Sequence, residues 1–338
     1  MTKATEQAVD SKKVRNRVRR IFGYENTILA IILIVITAVL AIFSKGRTVT
    51  RANIFNMLLN TSVRGIASIG QLFVILTAGI DLSVGGLAIF ATCLGGLWTT
   101  TGGSPVSAWQ PVNSLPFGLA VFLMMIIGIG FGAFNGVFVS RLRVPPLIIT
   151  LALSQILAGL SYNATQGYTI FNLHPALNFF GMGRVGGVPV PVMVFVAVAV
   201  VAYFVLHHTT FGRSVYATGG NPVSSWLSGL NVPRILFSSY IICGFLAALS
   251  GFILLARMMA ASMNAIKGLE LDSIAAVVVG GVSLAGGRGT LVGVVLGTII
   301  LGAINNGMNV MAVNPAYQDI VKGVIIIVAV TIDMIRRR

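Results

Sequence analysis

The chain has 338 residues, 56% hydrophobic and only 9% charged, with a mean hydropathy of +0.93. Charged residues make up about a quarter of an ordinary soluble domain, so this deficit, with apolar runs near 20 residues, excludes a soluble fold and indicates a polytopic membrane protein. The formal net charge of +15 does not indicate nucleic acid, because the basic residues gather at the ends of apolar spans rather than on one face of a soluble fold.

Residues 1–25 form a basic arm ending in KKVRNRVRR (12–20). It has no small-residue cleavage site and leads into a span that stays in the membrane, so it is predicted to lie in the cytoplasm, either disordered or against anionic headgroups. Residues 26–335 form the membrane domain, and 336–338 a basic C-terminus. The hydropathy pattern predicts an all-α polytopic membrane protein of about ten transmembrane helices, at roughly 26–43, 60–79, 82–100, 117–139, 146–162, 190–207, 235–256, 272–285, 291–311 and 318–335. The third and eighth are glycine-rich and are expected to be broken or re-entrant, which is tolerated only where protein or water covers the backbone.

With the N-terminus inside, 15 of the 23 lysines and arginines fall on the cytoplasmic side, which predicts both termini inside and an even number of spans. Lys45, Arg47 and Arg51 fall on the wrong side of that count, and Arg64 and Lys322 fall within spans. The segment 208–234 is then cytoplasmic, and the polar segments 101–116 and 163–189 face outward.

The sequence echoes itself. GFGAFNGVFV (130–139) is matched by ILGAINNGMNV (300–310), and TAGIDLSVGGLAI (77–89) by KGLELDSIAAVVVGG (267–281). The elements keep their order five helices apart. An odd offset turns the second copy upside down, so the pattern predicts an inverted repeat with the solute pathway near the repeat interface.

Polar groups inside hydrocarbon are costly and frequently functional. Asp81 in GIDLSVG, with Ser83 beside it, admits two readings: a cap on the helix that starts near Leu82, or contact with solute or a gate. Glu270 and Asp272 admit the same two. Asn135, Asn305 and Asn306, and more weakly Gln71, are candidates for interhelical hydrogen bonds or for recognising hydroxyls along a pore. Gly128, Gly130 and Gly132, and Gly293, Gly297 and Gly302, are expected to let helices pack closely. Cys93 and Cys243 lie in apolar segments without metal-ligand spacing and read as small buried hydrophobes. His174, His207 and His208 lack the companions a metal site needs. No catalytic constellation and no metal site is predicted. GGRGT (286–290) lacks the lysine of a P-loop, so no ATP site of its own is expected.

ATGGNPVSSWLSGLNVPR (217–234) is polar, yet lies between two long apolar segments. Asn221 and Pro222 have the chemistry of an N-cap and first helical residue, and Gly229 that of a stop, which predicts a helix of about two turns over 222–228. Its exposed side would carry Val223, Trp226 and Leu227 among serines. Such an apolar knob suits either a protein partner or the lipid interface.

TTFGRSVYATGGNPVSSWLSG, with GIDLSVGG before it and LELDSIAAVVVGGVSLAGGRGTLVG after it, resembles the ribose-type permease subunits of bacterial ABC importers for carbohydrate uptake, in the superfamily that includes branched-chain amino acid permeases. PPLIITLALSQILAGL (145–160), INNGMNVMAVNPAYQDIVKG (304–323) and VAVTID (328–333) extend the likeness over roughly 50–335. The resemblance implies a subunit of the bacterial inner membrane that forms the path of an ATP-driven sugar importer. It implies a second permease copy, a cytoplasmic ATPase carrying the ATP and magnesium, and an extracytoplasmic sugar-binding protein. It makes 213–231 the ATPase-coupling loop, with Arg213, Gly219, Asn221, Pro222, Ser224, Ser225, Trp226, Gly229 and Leu230 at docking positions. Solutes such as a branched amino acid, a nucleoside or a furanose signal, and an ion-driven transporter, stay open as alternatives. The family often has glycine at the positions of Ala78 and Ala152, changes expected only to tighten local packing.

Overall fold

The computed structural model describes residues 24–101 and 115–335. The basic arm up to residue 23, most of the 101–116 segment and the terminal 336–338 lie outside them. The described chain is almost wholly helical: α1 (Tyr24–Phe43), α2 (Arg51–Leu76), α3 (Ser83–Thr99), α4 (Phe117–Ser140), α5 (Pro146–Thr165), the short α6 (Leu177–Met182), α7 (Val190–His208), α8 (Thr210–Gly220), α9 (Pro222–Leu227), α10 (Val232–Met258), α11 (Leu269–Val279), α12 (Leu291–Val310) and α13 (Pro315–Ile335). A hairpin of β1 (Arg184–Val185) and β2 (Val188–Pro189) precedes α7. Among the described residues, seven helices are long and apolar enough to cross a membrane.

Each predicted span has a helix, but two expectations change. α3 is continuous; the break lies ahead of it, at residues 77–82. The eighth span is a helix of 11 residues, too short to cross a bilayer. It begins three residues earlier than predicted and stops at Gly280–Gly281, where Gly281 adopts φ +81°. An irregular segment leads into it. Ala261 packs on Gly96 near the end of α3, while Glu270 packs on Gly85 near its start. Eleven residues of α3 span about 16 Å, so 261–270 descends that far beside α3 and delivers the first turn of α11 to the middle of the bundle. α2 also begins nine residues before the predicted 60, because its polar first turns continue the helix beyond the apolar run.

Packing repeats with the predicted five-helix offset. α10 packs on α4 as α2 packs on α12; α10 on α3 as α2 on α11; α3 on α5 as α11 on α13. Small residues make these approaches possible. A Cβ on Gly128 would meet Gly244 and Ala248, and one on Gly132 would meet the Tyr240 carbonyl. Gly136 completes that seam against Phe237, whereas Gly130 faces open space and packs on nothing within 4 Å. On α12, Gly293 and Gly297 seat on α11 and Gly302 on Thr61 of α2. α2, α3 and α10 form the buried centre, whereas α1, α7 and α13 carry exposed residues such as Ile34, Val200 and Ile327, a surface made for lipid. Between α1, α11, α12 and α13 lies a largely apolar cavity of about 350 Å³, lined by Ile28, Ile32, Val278 and Val324, with Asp333 as its charged member.

One end of the bundle gathers α8, α9, the 77–82 break and the 280–290 loop. The other gathers α6, the β-hairpin and residues 44–50, with Arg184 stacked over Phe55 at 5.2 Å.

Candidate functional site

At the α8–α9 end, α9 is fixed by its own sequence. Asn221 accepts the Ser224 N–H at 2.9 Å and Pro222 opens the helix. Leu230 N–H returns to the Ser225 carbonyl at 3.0 Å and Gly229 N–H to that of Trp226 at 2.9 Å, while Gly229 holds φ +85°. This is the glycine-stopped helix end that the spacing predicts. Ser225 is buried; Val223, Trp226 and Leu227 are 66%, 65% and 72% exposed, and Arg213 and Ser224 are also exposed. The predicted loop 208–234 is thus mostly helix, with α8 capped by Thr209, which accepts the Gly212 N–H at 3.1 Å.

Glycines join this hairpin to the membrane domain. Gly219 rests on the Leu76 carbonyl and the Gly287 amide with no room for a Cβ. Gly287 N–H donates to the Leu76 carbonyl at 2.9 Å. Gly287 abuts Gly220, and Gly286 abuts Ala78. The Tyr216 hydroxyl donates to the Gly289 carbonyl at 3.0 Å, and burial pushes its pKa up to about 12, which keeps that proton in place. Three backbone segments therefore meet at one junction: the end of α8, the break after α2 and the loop between α11 and α12.

The break itself is satisfied by side chains from several helices. Asp81 accepts the Ser83 N–H at 2.8 Å and the Ser83 hydroxyl at 2.6 Å. Asn135 of α4 donates to the Ser83 Oγ at 2.9 Å. The Leu82 N–H donates to Thr150 Oγ1 of α5 at 3.1 Å. With the Gln71 amide oriented to satisfy both groups, it donates to the Asp81 carbonyl and accepts the Asp81 N–H, each at 3.1 Å. Gln71, Asp81, Ser83 and Asn135 are all buried and form one network, so they hold the loop rather than line an open pore. Ala78 adopts φ +62°, a conformation that penalises a Cβ. Its departure from glycine therefore affects backbone conformation, not packing alone. Ala152 is exposed on α5 and tightens nothing.

The second copy of the pattern is built from charges. Gly268, at φ +73°, precedes α11 without a side-chain cap, and Glu270 and Asp272 lie in its first turn rather than capping it. Arg64 Nε donates to Asp272 Oδ2 at 2.8 Å, and Lys322 Nζ lies 3.6 Å from Oδ1. Glu270 is half-buried against Gly85. Asn306 exchanges two amide hydrogen bonds with Asn53, at 2.6 and 3.2 Å, which ties α12 to α2. Asn305 is buried, and its Oδ1 lacks a partner among the described residues. Sequence reasoning missed Arg64, Arg257 and Lys322 as site residues. The signal was present in two of them, as charges inside spans.

These features define a membrane permease, with a hairpin of two helices at one end and a break ahead of each of α3 and α11. The chain matches the model of the branched-chain amino acid transport system / permease component family over residues 53–330, and it belongs to that family. It is 42% identical over 90% of its length to the ribose import permease of Escherichia coli (strain K12), covering 92% of that protein. It is 39% identical to the ribose import permease of Bacillus subtilis (strain 168), over 83% of this chain and 84% of the relative. Identity to the D-allose transport system permease of Escherichia coli (strain K12) is 35%, over 89% of each chain. No solved structure matches.

Proposed function

We propose that this chain is the membrane-spanning subunit of an ATP-driven sugar importer and that α9 docks on a separate cytoplasmic ATPase. The observation that carries the reading is the α8–α9 hairpin: an apolar knob, preorganised by its caps, joined by Gly219 to both interrupted regions of the membrane domain. Motion of the hairpin cannot leave Leu76 or Gly287 behind, because no side chain cushions the contact. ATP and magnesium bind the partner, whose closure pushes on Val223, Trp226 and Leu227. Two copies of the chain enclose the path, with both termini in the cytoplasm. A binding protein delivers solute at the β-hairpin end. The relatives, ribose and allose permeases, support a sugar cargo.

An ion-driven transporter needs an ionisable or oxygen-rich site free to bind the ion. Asp81 is engaged by Ser83 and Asp272 by Arg64 and Lys322, which leaves Glu270 as a single carboxylate; the α8–α9 hairpin, for which an ion-driven transporter has no use, favours ATP as the driving force. The test is uptake into liposomes holding the chain with its ATPase and a loaded binding protein. The expected result is sugar accumulation that requires ATP and survives an uncoupler. Accumulation that collapses with the uncoupler while ATP is held constant overturns the reading.

A further inference from the structure

Asn56, Asn60 and Arg64 recur at four-residue spacing, which puts them on one face of α2. Asn56 and Asn60 are exposed, and the Arg64 side chain is 25% exposed. Arg257 at the end of α10 donates to Asn60 Oδ1 at 3.0 Å. One turn further along, Arg64 meets Asp272, which Lys322 also approaches, and Lys322 lies 3.7 Å from the exposed Asp319. Beyond Asp272 is the half-buried Glu270, whose carboxylate has no hydrogen-bond or ion-pair partner among the described residues. A polar stripe therefore runs from the β-hairpin end of α2 down to the mid-bundle start of α11, drawing on four helices. Its open side cannot face hydrocarbon, where charges and amides are strongly unfavourable. It must face water or another protein surface.

We propose that this stripe is the outer wall of the solute path and that it contacts the hydroxyl groups of a neutral polyhydroxy solute; the proposal rests on the sugar-importer reading above. The chemistry fits that class. Cations and carboxylates alternate with amides, so the wall presents donors and acceptors side by side and no single sign of charge. A sugar hydroxyl both donates and accepts, and a guanidinium beside a carboxylate can serve two neighbouring hydroxyls at once. A branched aliphatic side chain would gain nothing from such a wall, whose surface is polar throughout. The partial exposure of Arg64 and Lys322 leaves donor capacity beyond the Asp272 pair.

The test uses the full chain reconstituted with its ATPase and binding protein. The probes are D-ribose, D-xylose, D-fructose and D-allose, with the deoxy analogue of whichever the wild type imports. Asn60→Ala and Arg64→Lys are expected to cut uptake of the parent sugar about tenfold, the factor that accompanies loss of about 1.4 kcal/mol of contact. Uptake of the analogue that lacks the contacted hydroxyl, and ATP hydrolysis, are expected to change less than about twofold. Parent and analogue falling together, or neither falling, overturns the proposal. A wild type that imports none of the four sugars instead removes the sugar reading, before any variant is compared. Cargo does not enter a second measurement. Cys93 and Cys243 are buried, so Asn56→Cys and Asn60→Cys can be titrated with a membrane-impermeant thiol reagent from outside. Labelling about fivefold faster than at Ile54→Cys is expected, since thiols react where water ionises them; labelling no faster than at Ile54→Cys overturns the proposal.

Discussion

Ahead of α3, Asp81 sits in a closed network of hydroxyls and amides, every member buried within one chain. In the corresponding turn of α11, Asp272 lies between two cations whose side chains keep about a quarter of their surface open. The two regions answer the same sequence pattern, a carboxylate at the start of a small-residue helix, and their helices have matching packing partners. They differ in what surrounds them. The first is next to the junction with α8, and in the proposed mechanism it is the fixed pivot. The second begins in the middle of the bundle and borders open space. A repeated element can thus keep its packing while one copy is sealed by hydroxyls and amides and the other is ringed by charges, the difference that the proposed path exploits.

The sharpest way to break this comparison is at the junction. Gly219→Val puts a branched side chain against the Leu76 carbonyl and the Gly287 amide. We expect a stability loss of about 3 kcal/mol and uptake uncoupled from ATP hydrolysis, read by thermal unfolding in detergent and by transport per ATP. Normal coupling in a folded variant would remove the junction from the mechanism.

Next come the two carboxylates. Asp272→Asn leaves Arg64 without its counter-charge and Lys322 with only the exposed Asp319, and is expected to cost about 2 kcal/mol and to impair uptake. Asp81→Asn keeps an oxygen that can accept both Ser83 bonds, so it is expected to cost at most about 1 kcal/mol and to leave cargo preference unchanged. Equal effects of the two substitutions on transport would erase the distinction between pivot and path.

The smallest effect sharpens the pivot. Ala78 holds φ +62°, so Ala78→Gly is expected to raise stability by about 1 kcal/mol, the cost of a left-handed non-glycine residue. A loss of stability on this change would mean that the Ala78 Cβ, packed beside Gly286, contributes more than its strain removes.

Much of the fold was legible. Apolar length located the ten predicted spans but not the short α6 or the polar α8, and Asn221, Pro222 and Gly229 specified α9 to within a residue, because caps and positive-φ stops are local chemistry. The weak points were non-local. Hydropathy placed the start of α2 at residue 60, since the polar stretch with Arg51, Asn53 and Asn56 reads as loop until the Asn306 partner of Asn53 on α12 is known. Whether Gln71 and Asn135 line a pore or brace a loop depended on which backbone they reach across the bundle. That Arg64 meets Asp272, 208 residues away, follows from tertiary packing and from no local spacing. Arg257 stayed hidden for a simpler reason: at a helix end it read as an ordinary loop cation.

The central claim is that the α9 knob holds an ATPase, and co-purification tests it most directly. The tagged full chain is extracted gently from native membranes, as wild type and as Trp226→Asp, and the eluates are assayed for ATP hydrolysis. Trp226 is 65% exposed, so the substitution is expected to leave the fold within about 0.5 kcal/mol of wild type. The account predicts an ATPase bound to wild type and lost, or no longer responsive to loaded binding protein, in the variant. An ATPase retained and coupled equally in both would contradict it.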